Sequence, residues 1–187
     1  MIQWFVHVLQ RAVEAGFRLL GALVAGIFRA PGVAAARAAA PIQVRRGTAS
    51  EVVEVRHRVL REGRPRSTAV FEGDHDPGTR HWVAVQADRI VGVVSVMQAP
   101  LPDTSGASGA SAGPAHQLRG MAVVPELRGS GLGATLLEAT HAEGLPLWCN
   151  AREAVVPFYA RYGWRPVGER FEIAGVGPHQ RMVYDPG

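Results

Sequence analysis

One glycine-rich segment holds the residues of this sequence whose types and spacing could do chemistry. Residues 121–133 read Met-Ala-Val-Val-Pro-Glu-Leu-Arg-Gly-Ser-Gly-Leu-Gly, which places Gly129, Gly131 and Gly133 directly after Arg128. Glycines let backbone N–H groups approach a ligand without an intervening Cβ. The first N–H groups of a helix lack partners and carry partial positive charge, and an arginine adds a charge-assisted hydrogen bond. The segment therefore predicts an anion site, such as one for a pyrophosphate, where a strand turns into a helix.

Three phosphate-binding motifs can be compared with this segment. A P-loop requires lysine, and the chain contains none, so that motif is excluded. A dinucleotide fingerprint fits loosely as Gly129-x-Gly131-x-x-Ala134, but it normally opens a series of βαβ units and only about 55 residues follow. The pattern Arg/Gln-x-x-Gly-x-Gly/Ala is met by Arg128, Gly131 and Gly133. Taken alone, the loop is also compatible with a glycine-rich helix start that binds nothing.

The charge distribution argues against a nucleic-acid-binding protein. The formal net charge is +4 and the sequence pI is about 10.2. Residues 1–41 contribute four arginines and one glutamate, whereas residues 42–187 contribute 16 arginines and 15 acidic residues. The second part is therefore almost neutral, and no basic stripe with interleaved aromatic residues is present.

Cysteine and histidine usage predicts that the protein binds no metal. The single cysteine, Cys149, excludes a disulfide within the chain and a zinc site built on paired cysteines. The seven histidines show no pair at metal-ligand spacing. We expect Cys149 to be a small buried apolar residue rather than a nucleophile.

Residues 1–41 form a leader with a composition of its own. Apolar residues recur at helical spacing from Trp4 to Leu20, and an Ala/Pro-rich linker runs from Pro31 to Pro41. Three interpretations stay open: a mis-set start codon, an amphipathic helix that contacts a membrane surface or a partner, and a targeting segment. A membrane span is not predicted, because the longest uncharged run has about half the required length.

Alternating strand and helix signals predict one domain over residues 42–187, of the α/β or α+β class with a mixed sheet. A capping box at Thr48 and Glu51 marks the start of the first helix. Residues 100–114 are rich in Ser, Gly, Ala and Pro and predict a mobile loop. The predicted strands cover 42–45, 81–85, 90–97, 117–124, 145–150 and the fragments 165–167, 171–173 and 181–184, and the predicted helices cover 48–60, 131–141 and 153–162, with a short one near 67–71.

Two blocks in this order resemble the GCN5-related N-acetyltransferase (GNAT) superfamily. Residues 117–137 are similar to its acetyl-CoA-binding core, and the second block is residues 147–152 together with Phe-Tyr-Ala-Arg-Tyr-Gly-Trp at 158–164. Residues 177–182 and Phe-Glu-Gly-Asp at 71–74 resemble one bacterial branch. The resemblance does not include the leader, residues 1–41.

The resemblance implies a single GNAT-like domain, with a mixed, mostly antiparallel sheet flanked by helices and with splayed central strands. It implies acetyl-CoA as co-substrate, with the pantetheine between the strand at 121–123 and the strand ending at Asn150. The glycine loop would then bind the pyrophosphate. The implied cofactor-binding positions are Met121, Ala122, Val123, Arg128, Gly129, Ser130, Gly131, Leu132, Gly133, Ala134 and Asn150.

Catalysis in such a site is expected to depend mainly on proximity within a ternary complex. Tyr159 matches the position of a general acid for the leaving thiolate, and it is also compatible with a packing role. The resemblance transfers no general base, so Glu72 and His179 are our candidates from chemistry, and Asp74 and His116 are weaker ones.

The expected function is transfer of acetyl to a primary amine of a small molecule or peptide in the cytoplasm. The alternative is a non-catalytic acyl-CoA-binding sensor of the same fold. The oligomeric state stays open, with a dimer as one option.

Overall fold

Seven strands and three α-helices are found in the part of the chain that the structure, a computed structural model, describes: residues 40–102 and 113–187. The strands are β1 (Gln43–Gly47), β2 (Arg80–Gln86), β3 (Arg89–Gln98), β4 (His116–Val123), β5 (Leu147–Arg152), β6 (Arg165–Ile173) and β7 (Gly177–Tyr184). The helices are α1 (Ala49–Leu60), α2 (Leu132–His141) and α3 (Val156–Arg161), with short 3-10 turns at Arg66–Ala69, Pro125–Leu127 and Glu153–Val155. Pro41–Gly187 forms one compact unit. Almost all of the predicted leader and most of the predicted mobile loop lie outside the described residues.

The strands form one sheet in the order β1-β2-β3-β4-β5-β7-β6. Every neighbouring pair is antiparallel except β4 and β5, which run parallel. That parallel pair is short: it joins His116 to Leu147 and Gln117 to Trp148, and the two strands then separate. The predicted fold class, a mixed and mostly antiparallel sheet with splayed central strands and flanking helices, is confirmed.

The helices cover both faces of the sheet. Neighbouring strand residues point to opposite faces, and on β2 His81 contacts Ser95 on the face of α1 while Arg80 binds Glu143, just beyond α2. The core includes Val52 and Val55 of α1 and Leu136 and Leu137 of α2, each at most 3% exposed. We call these two sides the α1 face and the α2 face. Helix α3 lies on the α2 face, because the Trp164 indole that follows it donates to His141 at the end of α2.

Local sequence signals decide where several elements begin. The capping box is confirmed: the Glu51 N–H donates to Thr48 Oγ1 (3.4 Å) and the Thr48 N–H donates to Glu51 Oε2 (2.8 Å). The β2–β3 hairpin turns at Ala87 and Asp88, which both have positive φ.

The last third of the chain differs from the predicted elements in two ways. The helix predicted over 153–162 is a 3-10 turn followed by α3, because Pro157 has no N–H to donate to the Glu153 carbonyl. The strand fragments predicted from 165 onward are two long strands, β6 and β7. Strand β7 begins at Gly177 because it pairs with β5 on one edge and β6 on the other.

Candidate active site

A gap opens in the middle of the sheet where β4 leaves β5. The edge of β4 that faces β5 has no strand partner from Leu118 to Val123 among the described residues, whereas its other edge pairs with β3. Backbone N–H and C=O groups need partners when they are shielded from water. The gap therefore presents an unused strand edge on which an extended molecule can pair.

A β-bulge at Gly120 turns the side chains that border this gap. Val94 of β3 stands opposite both Gly120 and Met121, and Gly120 has a φ of 60°. Side chains two residues apart on a regular strand share a face, but here Arg119 lies over Phe71 on the α1 face and Met121 contacts Tyr159 on the α2 face. The bulge thus separates the gap into two chemically different sides.

The glycine-rich loop lies at the α2 end of β4. Gly129 and Gly131 have φ values of 79° and 88°, and a Cβ built on either would meet no atom within 4 Å. The N–H groups of Gly131, Leu132 and Gly133 donate no hydrogen bond to any described residue, and no side chain caps α2. The guanidinium of the exposed Arg128 likewise makes no ion pair or hydrogen bond within the described part of the chain. Open space, free donors and a free guanidinium fit a pyrophosphate.

The remaining predicted cofactor residues differ in how exposed they are to solvent. Ala122 and the Leu132 side chain are buried, so Leu132 can offer a ligand only its backbone N–H. Ser130 donates its hydroxyl to the Leu127 carbonyl at 2.8 Å, which closes the turn before α2. Asn150 is exposed on β5, beyond the part of that strand that pairs with β4. The positions Met121, Val123 and Ala134 are half-buried.

Tyr159 lies on the α2 face of the gap. Its side chain is 6% exposed, its hydroxyl lies 3.7 Å from Met121 Sδ, and its ring packs edge-on against Trp164. Burial, with the nearby Cys149, raises the pKa of Tyr159 well above its ordinary value, so the phenol keeps its proton at neutral pH. Cys149 is itself buried, as predicted, and burial raises the pKa of its thiol.

The candidate bases occupy different environments. Glu72 is exposed in the loop that precedes β2. His179 is 4% exposed, and its Nδ1 lies 2.7 Å from the Gly177 carbonyl, so Nδ1 carries the proton and Nε2 keeps a lone pair in the neutral ring. His179 stands opposite Arg152 on β5 and Phe171 on β6, residues that share its face of the sheet.

Asp74, the third candidate, holds a buried structural network. Its Oδ2 accepts from Arg56 at 2.7 Å and from the Phe71 N–H at 2.7 Å, and both side chains of this ion pair are at most 1% exposed. Arg56 also donates to Ser95, whose hydroxyl contacts His81, and His81 Nε2 lies 2.9 Å from the Asp74 carbonyl. This closed chain anchors the loop before β2 to α1. The fourth candidate, His116, is half-buried at the start of β4.

Two loops meet over the α1 face. Arg64, in the segment after α1, donates to the Gly175 carbonyl in the β6–β7 turn at 2.6 Å. These residues are 111 positions apart in the chain. Their contact brings the segment after α1 and the β6–β7 turn together.

The splayed strands and the glycine loop agree with the comparison to known families. Residues 63–185 match the family model described as acetyltransferase (GNAT) domain. The chain belongs to this GNAT family of acetyltransferases. Family membership identifies the chain as an acyltransferase and confirms the resemblance that its sequence shows.

Relatives of the GNAT family match most of the chain. The chain is 32% identical over 145 residues to the uncharacterized N-acetyltransferase YitI of Bacillus subtilis (strain 168), which covers 74% of this chain and 92% of YitI. A protein of Corynebacterium glutamicum, described as histone acetyltransferase HPA2 and related acetyltransferase, shares the fold with a TM-score of 0.61 at 20% identity, over 78% of this chain and 97% of the other. An aminoglycoside 6'-N-acetyltransferase in complex with coenzyme A has a TM-score of 0.57 at 15% identity, over 78% and 97%.

Within residues 40–102 and 113–187, no helix is long and apolar enough to cross a membrane. In the same ranges, no group of three or more His, Cys, Asp and Glu side chains could hold a metal ion.

Proposed function

We propose that the protein transfers an acetyl group from acetyl-CoA to a primary amine of a small molecule or peptide, directly and in one ternary complex. The observation that carries the proposal is the combination of an unpaired β4 edge with a glycine loop in which the N–H groups of Gly131, Leu132 and Gly133 have no partner among the described residues. The coenzyme A in the complex of the related aminoglycoside acetyltransferase supports the choice of cofactor. Because acetyl-CoA is kept inside cells, the proposal also favours the cytoplasm.

The two sides of the gap have separate tasks in this proposal. On the α2 face, the N–H groups of Gly131, Leu132 and Gly133 and the Arg128 guanidinium bind the pyrophosphate, and the β4 edge at 121–123 holds the extended arm. Acetyl-CoA, when bound, supplies an activated thioester in the gap. On the α1 face, the two loops joined by Arg64 and Gly175 surround the space from which an acceptor approaches.

The reaction needs one side chain that accepts a proton from the amine and one that stabilises the leaving thiolate. The acceptor amine must lose a proton to react, and His179 Nε2 has a lone pair that can accept it. Glu72 is the second candidate. Tyr159 is protonated and reaches the gap beside Met121. Burial makes a tyrosinate costly. We therefore assign Tyr159 a hydrogen bond to the sulfur of coenzyme A as it leaves, rather than full transfer of the phenol proton to that sulfur.

The experiment is a screen of acetyl-CoA consumption by the full chain against amines, amino acids and peptides, with free thiol release and product mass both measured. Arg128→Gln should raise the KM for acetyl-CoA about tenfold, because a hydrogen bond to a charged group contributes about 1.5 kcal/mol or more. Arg165→Gln is the matched control, because Arg165 is exposed on β6 and its side chain forms no ion pair or hydrogen bond with a described residue. Coenzyme A binding without acetylation of any amine would replace the enzyme by the sensor alternative.

A further inference from the structure

Three guanidinium groups surround one aromatic ring on the α1 face of the gap. The guanidinium carbons of Arg56, Arg61 and Arg119 lie 4.4, 5.3 and 4.9 Å from the centroid of the Phe71 ring. Cation–π contacts attract each cation to the ring, but they do not neutralise its charge. The arrangement therefore concentrates positive charge beside the bulge at Gly120, where a built Cβ would lie 2.9 Å from Phe71.

Only one of these three arginines has an acidic partner. Arg56 is bound by Asp74, whereas none of the ion pairs between described residues includes Arg61 or Arg119. Arg61 donates to backbone carbonyls at 2.9 and 3.3 Å, and Arg119 is half-buried with Met97 Sδ as its hydrogen-bond partner. Both side chains are partly buried, and this burial lowers the pKa of Arg61 and of Arg119.

Further cations face the same space from β5 and from the segment after α1. Positive charge from Arg64 and Arg152 adds to the repulsion that lowers the pKa of Arg61, and Asp74 and Glu72 are the acids that act on Arg119. The charged groups that converge here are five cations, Arg56, Arg61, Arg64, Arg119 and Arg152, and two anions, Glu72 and Asp74. Partly buried charges that repel each other require a counter-charge.

The positions of the arginines beside the gap indicate that a bound ligand supplies the negative charge. Arg119 precedes the bulge on β4, and Arg152 ends β5, so the two arginines stand on the strands that border the gap. Phe71 and Met97 give the space between them an apolar wall. Arginine forks bind carboxylates in a planar, bidentate manner.

We infer that the acceptor is an amino carboxylic acid, whose carboxylate is bound by Arg61, Arg119 and Arg152 while its amine points into the gap between β4 and β5. This inference rests on the proposed acetyl transfer and narrows its substrate class. The cluster orients the acceptor rather than reacting with it. Its contribution therefore depends on the presence of the carboxylate.

The test compares a matched series of acceptors that differ only at the acidic group. The kcat/KM of acetyl transfer is measured for an amino acid, for its primary amide and for the corresponding amine without the carboxyl group. We expect the amino acid to be preferred over both neutral compounds by about 10- to 100-fold, the range for hydrogen bonds to a charged group. Equal kcat/KM values for the three compounds would overturn the inference but leave the proposed acetyl transfer intact.

Variants of the cluster must lose that preference specifically. Arg119→Gln and, separately, the exposed Arg152→Gln should lower kcat/KM for the amino acid about tenfold or more and change it less than about twofold for the amide. Arg152→Gln provides a variant at an exposed side chain that forms no ion pair or hydrogen bond with a described residue. Arg66→Gln is the matched control, because Arg66 lies in the same segment as Arg61 but pairs with Glu54 at 3.6 Å. Equal losses for acid and amide in Arg152→Gln would refute the assignment.

A binding measurement separates this inference from turnover. Calorimetry with the N-acetylated amino acid should show binding that Arg152→Gln weakens about tenfold, and the N-acetylated amide should bind equally weakly to both proteins. If no amine of any kind is acetylated, the proposed function fails, and the calorimetric result still decides whether the cluster recognises a carboxylate. If both products bind with the same affinity, the cluster has no such role.

Discussion

Replacing Gly120 by alanine tests how the bulge beside the gap is held. Gly120 has a φ of 60°, and a Cβ at this position would lie 2.5 Å from Arg56 Nε and 2.9 Å from the Phe71 ring. The left-handed backbone costs an alanine about 1 kcal/mol. Forcing apart buried groups adds about 1–3 kcal/mol, and Arg56 is held on two sides by Asp74 and Ser95. The expected loss is therefore about 2–4 kcal/mol for G120A.

Gly144→Ala is the matched control for the backbone contribution. Gly144 has a φ of 65°, but a Cβ there would meet no atom within 4 Å. We expect this variant to lose only the backbone contribution of about 1 kcal/mol. The difference between the two variants then measures the packing of Arg56 and Phe71 against β4.

The measurement is the free energy of unfolding from urea titrations, together with the midpoint of thermal unfolding. For a domain of this size, 1 kcal/mol corresponds to about 2–4 °C, so G144A should lower the midpoint by that amount and G120A by at least twice as much. Equal losses for the two variants would refute the claim that Arg56 and Phe71 press on the bulge. A loss in G120A with an unchanged KM for the acceptor would also show that the bulge does not shape the acceptor side.

Three further predictions follow from buried groups near the gap. Asp74→Asn should lower the free energy of unfolding by about 3–5 kcal/mol in urea titrations, because it leaves the buried Arg56 charge without a counter-charge; a loss below about 1 kcal/mol would contradict this. Tyr159→Phe should reduce kcat about 100-fold at an unchanged affinity for coenzyme A, and unchanged turnover would limit Tyr159 to packing. Burial lowers the pKa of His81. Below pH ~6.5 the unfolded chain therefore binds protons that the folded chain does not, and the free energy of unfolding should fall as the pH decreases from about 6.5. The fall measured from pH ~7.5 downward should be smaller for His81→Gln, and an equal fall in both proteins would show that His81 does not contribute to it.

Local patterns account for what could be predicted before the structure. The capping box at Thr48 and Glu51 acts within one helical turn, and the glycines before α2 determine that backbone locally. Both were therefore visible in the sequence, as was the family resemblance carried by residues 117–137 and 147–164. The cofactor positions and Tyr159 stay predictions, although their surroundings are now known.

Boundary errors came from pairing that no local pattern shows. Strand β7 extends back to Gly177 because β5 and β6 both pair with it, and the register of those partners depends on residues far along the chain. Most of the predicted loop at 100–114 lies outside the described residues. Its described flanks continue the ladder, since the Ala99 N–H donates to the Ala115 carbonyl at 2.9 Å.

The sequence by itself determined the family, the order of elements and the loop from Arg128 to Gly133, because each depends on residues that are close neighbours in the chain. Only the tertiary structure decided that Asp74 pairs with the buried Arg56, and that Arg61 and Arg119 lie against the same Phe71 ring on one side of the gap. Those features arise when segments tens of residues apart pack together. Each arginine is solvated separately in the unfolded chain, and the arginines form a cluster only in the folded protein. The inference of a carboxylate on the acceptor depends on this cluster and not on any one arginine.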